Sequence, residues 1–81
     1  MGKELIDTVS LMMSDNYKDR FKAEYYQTQI RYERLKRMVD NLDHLDFNPT
    51  CPKAIFLTQL DAMRAYLNVL SYRAKEEGID L

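Results

Sequence analysis

The chain has almost none of the residues on which covalent and metal chemistry usually rests. Its 81 residues include one cysteine, one histidine and no tryptophan. The lone Cys51 excludes a disulfide within the chain and suits a reducing compartment. His44 has Asp40, Asp43 and Asp46 nearby in sequence, but one histidine without a thiolate pair cannot close a transition-metal site. It reads better as a cation at a helix C-terminus. Cys51 lies between Thr50 and Pro52 with no base in view, and reads as loop packing rather than a nucleophile. Glycine and proline are scarce too, at two each. That leaves no Gly-rich phosphate loop and no nucleophile elbow. No apolar run approaches the length of a membrane span. The N-terminus lacks the apolar block of a signal peptide, and MGKELI places Ile6 where a myristoylation signal wants Ser or Thr. The expectation is a soluble, intracellular protein that is not an enzyme and needs no cofactor or metal.

What is present is helix-forming and periodic. Hydrophobic residues make up 46% of the chain, enough for one small core near the size where a core is barely sufficient. Leu5, Ile6, Val9, Met12 and Met13 recur at helical spacing, predicting a helix over about 3–13. Ser14, Asp15 and Asn16 favour caps over helix interiors and predict a stop and restart. Phe21, Tyr25, Thr28, Tyr32, Leu35, Val39 and Leu42 then step alternately by four and three, predicting a helix over about 16–43. DFNPTCP, residues 46–52, is the loop, with Pro52 suited to the first turn of the next helix. That helix, about 52–77, carries Phe56, Leu60, Met63, Leu67, Leu70 and Ala74, and beside them a second row of Ile55, Ala62, Tyr66 and Val69.

The fold class expected is all-α: a short N-terminal helix and a long antiparallel helical hairpin in one domain over 1–81. Leu35, Leu42, Phe56, Leu60, Met63, Leu67 and Leu70 should be the most buried side chains. The doubled apolar rows on the last helix exceed what one partner helix can cover, so a homo-oligomer is expected.

The charge is balanced overall, 12 cations against 13 anions, which argues against a nucleic-acid track or an anionic membrane partner. Its distribution is uneven. The stretch IRYERLKRMV, residues 30–39, sets Arg31, Arg34, Lys36 and Arg37 against Glu33 alone. Arg34 and Arg37 share a face with Tyr26 and Ile30. Guanidinium groups beside tyrosines can clamp phosphate in two-point contacts and stack on a base. The candidate ligand-binding residues are therefore Tyr26, Arg31, Arg34, Arg37, Arg64 and Tyr66. The plainer reading is a solvated helix face with i,i+4 pairs such as Glu33–Arg37, its tyrosines serving as core or interface packing.

Two segments, NYKDRFKAEYYQTQIRYERLKRMV (16–39) and CPKAIFLTQLDAMRAYLNVLSYRAKEEGIDL (51–81), resemble a family of small proteins encoded by bacteriophages and prophages, crAss-like phages among them. The resemblance implies a phage accessory protein acting in the cytoplasm of a bacterial host, and supplies no activity. At the level of fold, a short helix before two long ones in a small phage protein is similar to the anti-CBASS sponges. Those assemble into oligomers and sequester cyclic nucleotides at protomer interfaces; no binding residue carries over by position. The leading expectation is a counter-defence protein that binds and sequesters a cyclic nucleotide immune signal without cleaving it. The alternative is a protein–protein inhibitor or adaptor presenting helix faces to a host protein, and a third is a small virion or assembly component.

Overall fold

The computed structural model describes residues 3–81. Among them there is helix and no strand. A 3₁₀ turn over Leu5–Thr8 runs into α1, Val9–Met12; α2 spans Tyr17–Asp40; a second 3₁₀ turn covers Leu42–His44; and α3 spans Lys53–Glu77. The first helix expected is thus half 3₁₀, and the second ends as a regular helix at Asp40.

Local chemistry explains the boundaries. The Asn16 side chain accepts a hydrogen bond from the Lys18 N–H at 2.8 Å, satisfying a donor at the start of α2. Ser14 Oγ donates to Asp19 at 2.8 Å, holding the break at 14–16 against the same first turn. Pro52 is the N-cap of α3, with φ −62° and ψ 148°, so it stands just outside the first turn. At the far end, Gly78 adopts φ 68°, in the left-handed region. Ile79 N–H returns to the Ala74 carbonyl at 2.8 Å and Gly78 N–H to Lys75 at 3.4 Å. These are the two bonds of a Schellman cap, and Ile79 completes it by packing with Ala74.

The core gathers at that end. Phe21, Leu70, Ala74 and Ile79 form one buried cluster, with Tyr25 against it. Tyr17 Oη donates to Glu77 at 2.9 Å and accepts from Arg73 at 2.7 Å, so the start of α2 meets the end of α3. The Arg73 guanidinium lies 4.8 Å from the Phe21 ring centroid. Desolvation works against the Arg73 charge, but Tyr17 and Glu77 outweigh it and hold its pKa above the ordinary guanidinium value.

Burial departs from the single seam expected. Leu60 and Leu70 are buried; Leu35, Leu42, Phe56, Met63 and Leu67 are only half-buried. The reason is that α2 buries two opposite sides rather than one. Phe21 and Val39 lie toward α3, whereas Ala23 and Ile30, also buried, lie on the other side of the helix. The N-terminal segment packs on α2 as well, and Thr8, fully buried, anchors it there. Its hydroxyl donates to the Leu5 carbonyl at 2.7 Å and accepts from Gln27 at 3.0 Å. The apolar supply is divided between two interfaces, and the loop end of the pair is left thinly covered, with Phe47 62% exposed.

Candidate anion-binding groove

Because α2 is covered on two sides, a strip of it between them stays open. Arg20, Glu24, Gln27 and Arg31 step by four, three and four and so line up along that strip. Met12 of α1 forms one bank and Tyr66 of α3 the other, with Ala23 and Thr28 in the floor. The groove encloses about 300 Å³, at the small end of the roughly 300–1,000 Å³ typical of small-molecule sites.

Several of its side chains are held in place. Gln27 Nε2 lies 3.0 Å from Thr8 Oγ1 and 3.4 Å from Met12 Sδ, tying the bank to the floor. Arg20 donates to the Ser14 carbonyl at 2.8 Å. Thr28 Oγ1 donates to the Glu24 carbonyl at 2.9 Å. Two guanidinium groups against one carboxylate leave the groove net positive in a chain whose total charge is −1. Chemically it offers two charge-assisted donors, one carboxylate acceptor, an amide, and an aromatic ring at the rim. That set suits a phosphate-bearing ligand with hydrogen-bond donors of its own.

The six candidate residues separate. Arg31 and Tyr66 meet in the groove. Arg64 is on the other flank of α3, where its Nε lies 3.3 Å from Tyr32 Oη and its guanidinium 6.0 Å from that ring. Tyr26 is half-buried, edge-on to Tyr25 at 5.6 Å, with the Lys3 ammonium 4.8 Å from its ring. Arg34 and Arg37 are exposed beyond the N-terminal segment and line no part of the groove. The ion pair that forms near them is Lys36–Asp40 at 3.1 Å; among the described residues Glu33–Arg37 does not form. Arg20, Glu24 and Gln27 were not singled out by the charge cluster. Their four–three–four spacing with Arg31 was the available signal, masked because it reads as an ordinary polar face. Among the described residues, no three His, Cys, Asp or Glu side chains converge as a metal site.

No helix among the described residues is long and apolar enough to cross a membrane. No curated protein and no solved structure matches the chain. A family model does, over residues 15–76, which takes in α2, the loop and nearly all of α3, and its name suggests a sequestering, binding role. With most of its length matched, the chain belongs to the Sequestin family.

Proposed function

We propose that this protein binds and sequesters an anionic cyclic nucleotide signal without cleaving it, as a phage-encoded counter-defence protein in the cytoplasm of a bacterial host. The observation that carries the reading is the groove, where Arg20 and Arg31 face one ligand-sized space beside the Tyr66 ring. Sequestration asks only for affinity, and guanidinium, amide, hydroxyl and phenol groups supply it. Arg31 and Arg20 hold phosphate, Tyr66 stacks on a base or lines the rim, and Glu24 accepts from an amino or hydroxyl group. Arg34, Arg37 and Arg64 contribute at most a favourable field, and Tyr26 supports the N-terminal bank. The contacts Tyr17–Glu77 and Tyr32–Arg64 favour an antiparallel α2–α3 hairpin, and self-association belongs to the same reading.

The test is a thermal-shift screen of the purified protein with cyclic di-AMP, cyclic di-GMP, cyclic tri-AMP and cyclic ADP-ribose isomers. A ligand at 100 times its Kd adds about 2.7 kcal/mol, which in so small a domain raises Tm by roughly 10 °C or more. Arg31→Glu should abolish that shift while helicity is kept. Arg31→Lys should weaken it, because an ammonium cannot reproduce the planar two-point contact. A panel that leaves Tm unmoved, or a shift indifferent to Arg31→Glu, would overturn the reading.

A further inference from the structure

The loop end of the molecule has apolar side chains but no core. Residues 40–59 contain no buried side chain, although Leu42, Leu45, Phe47, Ile55, Phe56 and Leu57 fall among them. Phe47 is 62% exposed, Ile55 56% and Leu57 45%. Single apolar residues scattered over a surface are ordinary, but a concentration of them at one end is not. The cause is the division of the core described above. The cluster of Phe21, Leu70, Ala74 and Ile79 sits at the opposite end, and the N-terminal segment is spent on α2 around Gln27.

The charge of this end is of one sign. Between Val39 and Lys53 the charged side chains are Asp40, Asp43 and Asp46, with no lysine or arginine. Asp40 pairs with Lys36 at 3.1 Å. Asp43 and Asp46 are exposed and, among the described residues, form no ion pair. Pro49 and Pro52 each fix a backbone φ angle here, which lowers the entropy lost when a partner orders the loop.

That charge selects the occupant. Free carboxylates repel a nucleic acid and an anionic membrane surface alike. A second copy meeting this end by two-fold symmetry would set the same aspartates against one another. A protein surface with an apolar centre and a lysine or arginine rim satisfies the apolar and the acidic side chains together. We propose that the loop end docks a partner protein of that kind, with Phe47 as the apolar anchor and Asp43 and Asp46 meeting the cations around it. Docking here is independent of the groove, whose lining comes from residues 12–31 and Tyr66.

The probe is a labelled synthetic helix carrying a leucine stripe flanked by lysines, and its control has glutamate in place of lysine. Fluorescence anisotropy should show the lysine helix binding the protein and the glutamate helix not binding. Phe47→Ser should weaken binding about tenfold or more. Asp43→Asn with Asp46→Asn should weaken it too and flatten its dependence on salt. All three positions are exposed, so circular dichroism should show unchanged helicity in both variants. Hydrogen exchange should place the new protection within residues 40–59. No binding of the lysine helix, binding indifferent to Phe47→Ser, or protection centred on the groove would overturn the docking surface. Protection of residues 40–59 that grows with protein concentration in the absence of the helix would also overturn it, giving the end to a second copy instead.

Discussion

Single residues with no slack carry much of this small fold. Leu70 is fully buried in the cluster that joins α2, α3 and the C-terminal cap. Leu70→Ala should remove about 2–5 kcal/mol, a large share of the 5–15 kcal/mol available to a domain; chemical denaturation would measure it. Gly78 has open space around its Cβ position, so its requirement comes from φ 68° alone. Gly78→Ala should destabilise by about 1 kcal/mol through backbone strain, with no steric contribution. Thr8 is a different case, since its hydroxyl both donates and accepts while fully buried. Thr8→Val keeps the shape, leaves the Leu5 carbonyl and Gln27 amide short of partners, and should lower stability by about 1–3 kcal/mol.

Between elements, two fastenings matter, and they differ in kind. Where α2 begins and α3 ends, Tyr17, Arg73 and Glu77 make a polar network over Phe21. The Arg73–Glu77 pair is 45% and 35% exposed, so solvent screens most of its charge interaction. The Arg73 stem and guanidinium against Phe21 count for more. A double-mutant cycle of Arg73→Ala with Phe21→Leu should accordingly show larger coupling than Arg73→Ala with Glu77→Gln. The second fastening holds the N-terminal segment on α2 through Thr8 and Gln27. Deleting residues 1–13 should uncover Ala23 and Ile30, remove the Met12 bank and lower both Tm and ligand affinity, read together in one melting series. The family match begins at residue 15, so it covers the α2–α3 pair, and the N-terminal segment that forms the Met12 bank of the groove lies outside it.

For the molecule as a whole, the proposed self-association ties stability to assembly. A dimerising chain of this size has a Tm that rises with protein concentration, and a monomer does not. The self-association proposed with the function therefore predicts that a dilution series of melting curves shows that dependence. Period and turn chemistry made the all-helical class, the break at 14–16 and the Pro-containing loop legible in the sequence, because each depends on a few neighbouring residues. The Schellman end of α3 was half legible: the helix was expected to stop near residue 77, but Ile79 was not identified as core. Which side of α2 meets which neighbour was not legible. Ala23 and Ile30 fall outside the four–three seam, and their burial depends on a segment folding back from Thr8. The same holds for the site. Arg31 and Tyr66 could be nominated from residue type, but the sequence could not tell that these two line the groove while Arg34, Arg37, Arg64 and Tyr26 lie outside it. Helical period determines which residues share a face, since it is a property of the backbone. Only the packing of three elements decides which of those faces is covered and which remains a groove.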